Sequence, residues 1–244
     1  MDRKIRVGAV SYLNTRPLTY GFAQGMMADE VELFFAPPAT LAAWLQQDKI
    51  DIGLVPVAVI PSLPEAEIIG KYCIGADGPV ASVALFSQVP IDRLDTVLLD
   101  TESRTSAALI QFLLKEYWKI SPSILPAYPG YEKDIVGSTG ALVIGDRALT
   151  LLGKPAFQYD LAAAWQALTG LPFVFAAWVS NKKMSADFIE RFDQSVGFGL
   201  QYLETLAAAI DFPAYDLKTY YTKNIQYVLD APKRKALALF LSKL

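Results

Sequence analysis

The stretch KIRVGAVSYLNTRPLTYGFAQG, residues 4–25, decides the fold. Its first part, KIRVGAV, is an apolar run that reads as a buried strand. The part TRPLTYGFAQG reads as a helix, with Pro17 in its first turn and Thr15 as a candidate N-cap. Working outward, VELFFA (31–36) reads as a strand and PPATLAAWLQQD (37–48) as a helix that starts at prolines. IDIGLVPVAVI (50–60) then opens with another strand. Strand, helix, strand, helix and strand in this order mean βαβ units and a parallel sheet. Such crossovers bring the loops after Val10 and Val55 to the carboxyl edge of the sheet, where open α/β sheets bind ligands.

EIIGKYCIGA (67–76) and PVASVALFSQ (79–88) follow as two strand-like runs, the second long enough to pass between lobes. A second α/β section comes next: DTVLLD (95–100), TESRTSAALIQFLLKEYW (101–118), SILPAY (123–128), GALVIGDRALTLLG (140–153) and DLAAAWQALTG (160–170). LPFVFAAWVSN (171–181) reads as a final apolar strand, and from Ser185 the pattern is helical to the end. The expected architecture is α/β with two lobes and a hinge. Residues 1–85 and 180–244 form one lobe and 86–179 the other. The cleft between them is the expected ligand site.

Composition narrows the chemistry. A charge of −3 over 244 residues gives no reason to expect a nucleic-acid or anionic-membrane partner. No apolar run reaches the ~18 residues that span a bilayer. The opening MDRKIRVGAV has no apolar signal core, so a cytoplasmic location is expected. The single cysteine, Cys73, permits no internal disulfide and reads as a buried thiol. The chain contains no histidine, which removes Ser-His-Asp and Cys-His catalysis and every His-bearing metal site. No phosphate loop or dinucleotide fingerprint occurs, so neither a cofactor nor a metal is expected. Oligomeric state is not encoded in any recognisable feature.

Four places carry candidate chemistry. Ser11, Tyr12 and Asn14 lie in the first strand-to-helix turn; they are turn and cap formers, or Asn14 faces the cleft and orients a hydroxyl or carboxylate. Ser103, Thr105 and Ser106 lie where a strand gives way to a helix, whose N-terminus either is simply capped or binds an anion, with Arg104 nearby. Gly145 and Asp146 stand at a similar junction; Asp146 is an N-cap, or it binds a ligand hydroxyl or holds Arg147. Ser82 is a small polar residue in an apolar strand that could line the cleft, and Pro56 is a rigid wall at another strand end. The aromatic residues of the last third read as core and inter-helix packing. These patterns describe a two-lobed binder of a small anion and do not choose between binding protein and enzyme.

The opening RVGAVSYLNTRPLTYGF resembles the start of the chorismate dehydratase family of the futalosine route to menaquinone. KIDIGLVPVAVIP, CIGADGPVASVALFS, DTESRTSAALIQFLL and ALVIGDRAL match in the family's order and spacing, so the resemblance covers almost the whole chain. It implies a type II periplasmic-binding-protein-like fold. It also implies conversion of chorismate to 3-[(1-carboxyvinyl)oxy]benzoate and water without metal or organic cofactor. The family positions linked to the chemistry correspond to Asn14 and Ser82. The rivals are a non-catalytic solute-binding protein of the same fold, a ligand-sensing regulatory domain, and the related enzyme that makes 1,4-dihydroxy-6-naphthoate. That enzyme's family uses a histidine base, which this chain lacks.

Overall fold

A computed structural model describes residues 3–244. In chain order the elements are β1 (Ile5–Ala9), α1 (Arg16–Ala23), β2 (Val31–Phe35), α2 (Pro38–Gln46), β3 (Ile52–Pro56), β4 (Glu67–Ala76), β5 (Val83–Ser87) and β6 (Thr96–Leu99). Then come α3 (Arg104–Glu116), β7 (Ser123–Pro126), β8 (Thr139–Ile144), α4 (Gly145–Leu151), β9 (Phe157–Asp160), α5 (Leu161–Thr169) and β10 (Phe173–Ser180). The chain closes with α6 (Ala186–Phe198), α7 (Leu203–Ala208), α8 (Leu217–Thr219), a π-helical turn over Tyr220–Asn224, β11 (Gln226–Val228) and α9 (Ala231–Leu241).

Two sheets result. The first has the order β11-β4-β10-β3-β1-β2 and the second β7-β6-β8-β5-β9. β1 runs parallel to β2 and β3, as the opening sequence requires. In the second sheet β6 is parallel to β7 and β8. β10 is antiparallel to both β3 and β4, and β5 is antiparallel to β8 and β9. The central strands β3 and β5 have every residue buried, and all of these but Ser87 are apolar or glycine.

The sheets divide the chain differently from the expected 1–85/180–244 and 86–179. β5 already belongs to the second sheet, and β10 has returned to the first. Strand-to-strand hydrogen bonding decides sheet membership, and an apolar run does not announce its partner. The crossings therefore fall between β4 and β5 and between α5 and β10. The expectation of helix from Ser185 to the end also fails at β11, which adds to the edge of β4. Cys73 is buried in β4, and burial pushes its thiol pKa up to about 12, leaving it protonated and inert. No helix among the described residues is long and apolar enough to cross a membrane.

A buried carboxylate ties down the amino edge of the first sheet. Asp51, fully buried, accepts from Arg3 (2.7 and 2.8 Å), Arg6 (3.1 Å), Lys182 (2.6 Å) and the Arg6 backbone N–H (2.9 Å). Burial alone would raise its pKa, but the bonds from Arg3, Arg6 and Lys182 outweigh it and hold the carboxyl far below the usual range. The stabilisation is therefore complete above the unfolded-state pKa of ~4 and is lost as pH falls below it toward the folded-state value. Denaturant melts should show Asp51→Asn clearly less stable than wild type at pH 7, with the gap narrowing by pH 3. An equal gap at both pH values would contradict this account.

Candidate active site

The carboxyl ends of β1 and β3 in the first lobe face the start of β5, the end of β8 and the N-terminus of α3 in the second. Between them lies a cleft of about 560 Å³, counting its open part. Tyr12, Asn14, Pro56, Ser82, Ser103, Ser106 and Gly145, all singled out from sequence, line it. Tyr12 is the one ionisable side chain among the lining residues; the rest of the wall is neutral and mostly apolar, including Val10, Leu54, Ile74, Val80 and Phe175.

The turn after β1 tightens into a short 3-10 helix, Leu13–Thr15, that runs straight into α1. Thr15 consequently has helical backbone angles and makes no cap, contrary to expectation. Its hydroxyl instead donates to Asn14 Oδ1 at 3.2 Å, which leaves the Asn14 amide nitrogen available. On the other wall Ser103 caps α3, its Oγ accepting from Ser106 N–H at 3.2 Å and lying 3.0 Å from Ser106 Oγ. Such a cap is worth about 1 kcal/mol. The N–H groups of Arg104 and Thr105 in the same first turn have no acceptor within the helix, and they form the positive end of its dipole. The capping reading of this segment is what the geometry shows.

Ser82 sits just ahead of β5 rather than inside a strand, and it is buried. The residue before it, Ala81, has φ of 64°, a left-handed conformation that costs a non-glycine residue ~1 kcal/mol or more. Asp160 holds it there: one carboxylate oxygen accepts the Ala81 N–H at 2.8 Å, while the other caps α5 through Ala162 and Ala163. Burial raises the Asp160 pKa, against backbone N–H bonds that favour the anion. The strained turn aims the Ser82 backbone at α4 as well, its carbonyl accepting from Gly145 N–H at 2.8 Å.

Three of the expected site residues do not line the cleft. Ser11 is exposed outside it. Thr105 is fully buried and its hydroxyl accepts from Ala58 N–H at 3.1 Å, joining the two lobes. Asp146 is neither a cap nor a partner of Arg147; its carboxylate accepts from Leu13 N–H at 3.1 Å, again across the lobes. Burial raises its pKa against that hydrogen bond and the charge of Arg16. Arg147 is held by Asp100 (2.6 Å), Glu132 (2.9 Å) and Glu102 (3.5 Å). Glu102 in turn accepts from the Tyr12 hydroxyl at 2.5 Å, a further interlobe bond. Gly145 is required twice over: its φ is +63°, and a Cβ there would press on the Tyr12 ring at 3.2 Å. Among the described residues no group of three Cys, Asp or Glu is arranged to hold a metal ion.

Comparison with known proteins decides the family. A family model described as menaquinone biosynthesis matches residues 5–244. The chain belongs to this menaquinone biosynthesis family. Two curated relatives bear on it. One, from Thermus thermophilus, is named chorismate dehydratase and is 27% identical over 270 residues, covering 98% of this chain and 94% of that protein. Another chorismate dehydratase, from Campylobacter jejuni, is 30% identical, covering 96% of this chain and 95% of that protein. Solved structures share the fold at low identity. A protein from Archaeoglobus fulgidus superposes with a TM-score of 0.74 at 13% identity, covering 98% of this chain and 96% of that one. The alkanesulfonate-binding protein of Xanthomonas axonopodis gives 0.63 at 14% identity, covering 99% and 93%. A Candida albicans protein described as having the generic periplasmic binding protein fold gives 0.61 at 13% identity, covering 98% and 90%. The expected two-lobed binding-protein fold is thus the fold of this member of the menaquinone biosynthesis family.

Sequence reasoning passed over one part of the family member's site. The apolar wall was invisible because Ile74, Val80 and Phe175 look like ordinary core. The C-terminal tyrosines, expected as packing, are core residues: Tyr220 and Tyr221 are fully buried.

Proposed function

We propose that the protein dehydrates chorismate to 3-[(1-carboxyvinyl)oxy]benzoate in the futalosine route to menaquinone. One observation carries this reading. Asn14 and Ser82, neutral groups from two separate segments, meet in a cleft whose lining holds no carboxylate, lysine or arginine. Such a wall can orient a substrate and stabilise charge, and it offers no strong protein base. The family match and the names of the two chorismate dehydratase relatives support the substrate.

Chorismate suits that wall. Loss of the C3 hydrogen and the C4 hydroxyl makes its ring aromatic. The ring carboxylate activates the C3 hydrogen through the intervening double bond. The enolpyruvyl carboxylate, on the oxygen attached to C3, lies beside that hydrogen in the same molecule. Held correctly it takes the C3 proton, the C4 hydroxyl departs, and the proton and hydroxide leave together as water. Asn14 and Ser82 hold the enolpyruvyl carboxylate in that pose. The N-terminus of α3 with Ser103 and Ser106 receives a substrate carboxylate. Positioning of this kind supplies up to ~7–11 kcal/mol in favourable intramolecular reactions.

The interlobe bonds of Tyr12, Thr105 and Asp146 keep the cleft shut around the substrate and exclude water. Asp146→Ala leaves the Leu13 N–H without its acceptor in the closed state. Steady-state kinetics should show KM for chorismate rising about tenfold, while Asp146→Asn, which keeps an acceptor oxygen, stays near wild type. Equal KM values for all three proteins would remove the latch role.

The function itself is tested by incubating the protein with chorismate in EDTA-containing buffer and separating products by liquid chromatography with mass detection. The expected product is lighter by one water and has a benzoate-type ultraviolet spectrum. Chorismate that raises the melting temperature but survives intact would favour a solute-binding protein, the role named for the Xanthomonas structural neighbour.

A further inference from the structure

Ser82 is carried by the segment that crosses from the first sheet to the second, residues 77–82, between β4 and β5. Val80 and Ser82 of this crossing line the cleft. Pro79 and Ala81, which alternate with them, line a separate depression on the outside, together with Asp160, Tyr215 and Asn224. The crossing is bonded at every second residue away from the cleft. Gln166 Nε2 donates to Asp77 Oδ1 at 2.5 Å. Asn224, the last residue of the π-helical turn, donates through Nδ2 to the Pro79 carbonyl at 3.0 Å. The Tyr215 hydroxyl orients that amide by donating to its Oδ1 at 3.0 Å. Asp160 Oδ2 accepts the Ala81 N–H at 2.8 Å. Of these bonds, the one from Ala81 holds a strained residue, a non-glycine at φ 64°.

We propose that Asp160 is a positioning residue for the reaction, aiming Ser82 into the cleft by holding Ala81 in its left-handed conformation. This rests on the chorismate reading of the cleft and adds a residue to it. Capping α5 does not account for the carboxylate. Both capping bonds, from the Ala162 and Ala163 N–H groups at 3.0 Å, end on Oδ1, and serine, threonine or asparagine caps equally well. Oδ2 is what a carboxylate adds, and its bond goes to Ala81. Sheet register places it: Asp160 ends β9 opposite Ala84 of β5, so its side chain reaches back to the turn before that strand. Strain of this kind persists only where the surroundings impose it, and it concentrates at functional sites. Released from Asp160, Ala81 returns to an ordinary conformation, by a preference of about tenfold for one non-glycine residue. Pro79 stays held by Asn224, and the Ser82 carbonyl by Gly145 N–H. The change therefore falls on the Ala81–Ser82 peptide and on the direction of the Ser82 side chain.

The test measures chorismate turnover and thermal melts for Asp160→Ser, Ala81→Gly and the double variant, each set against its own parent. Asp160→Ser keeps a cap on α5 but does not reach the Ala81 N–H. It should lower kcat/KM about tenfold, because only the remaining fraction of molecules has Ser82 aimed into the cleft. Glycine adopts positive φ without strain, so in the Ala81→Gly background the same Asp160→Ser change should cost no more than about twofold. In a Ser82→Ala background it should also cost much less than in wild type, since it acts through that serine. A structural loss alone would be equal in all three backgrounds and would overturn the inference. Wild-type kcat/KM in Asp160→Ser would overturn it too, and both results leave the dehydratase reading standing. If Asp160→Ser does not fold, Asp160→Asn takes its place: it caps through its one carbonyl oxygen and turns an amide toward the Ala81 N–H. It should show the same loss and the same rescue by Ala81→Gly, and the absence of either overturns the inference. Wild-type protein inert toward chorismate would instead overturn the reading of the cleft, and this inference with it, before any variant is compared.

Discussion

Asn14→Ala and Ser82→Ala should each lower kcat for chorismate by about 10²–10³ while leaving the melting temperature nearly unchanged. The size follows from what these groups do. On the proposed reading each is a preorganised donor aimed at one carboxylate inside a cleft whose lining offers no lysine or arginine to take its place. Losing either lets the carboxylate swing away from the C3 hydrogen, and small misplacements of a reacting group are costly in turnover. Stability is affected little, because Asn14 is only half-buried and Ser82 keeps its backbone bond to Gly145 after truncation. Because the proposed reading has both holding the same carboxylate, the double variant should fall short of the product of the two losses. Purified variants compared by steady-state kinetics and thermal melts decide the matter. Near-normal rates in both would remove these roles.

The largest effect on stability is expected at two glycines that let helices touch backbone to backbone. A Cβ added to Gly21 in α1 would lie closer than 3.0 Å to the Ser195 carbonyl of α6. A Cβ on Gly199, just past α6, would overlap the Pro17 carbonyl of α1 in the same way. The obstructing atoms are main chain, so no rotamer change relieves the overlap and the helices must separate. Overpacking costs ~1–3 kcal/mol where side chains can yield, and Gly21→Ala should reach at least about 3 kcal/mol. For a chain of this size that is a fall of roughly 6–12 °C in melting temperature. The seam also anchors α1, which follows directly on the 3-10 turn that carries Asn14, so it connects packing to the site. A fall of only a degree or two in Gly21→Ala would show that α1 and α6 can shift cheaply.

The fold was readable where local pattern and topology coincide. The βαβ opening is one such place, because a parallel strand pair needs a crossover, and its carboxyl edge then follows from geometry alone. Asn14, Tyr12 and Pro56 were found for this reason, and Ser103, Ser106 and Gly145 by the same logic at the helix starts after β6 and β8 of the second sheet. Lobe boundaries were less legible. β5 and β10 are apolar up to a terminal serine, and only hydrogen bonding to β8 or β3 tells which sheet they join. Asp146 and Thr105 were recognised as polar groups at helix starts, but their partners, Leu13 and Ala58, lie in the opposite lobe. The contribution of Asp160 to Ser82 runs through one left-handed alanine, which no residue type announces.

The central claim is that the substrate brings its own base and the protein holds it in place. It is tested most directly by turnover of a chorismate analogue whose enolpyruvyl carboxylate is converted to the amide, with the ring carboxylate left free. The account predicts that chorismate is dehydrated, and that the analogue competes for the cleft yet yields no benzoate product. Dehydration of the amide at a rate close to that of chorismate would place the base in the protein and contradict the account.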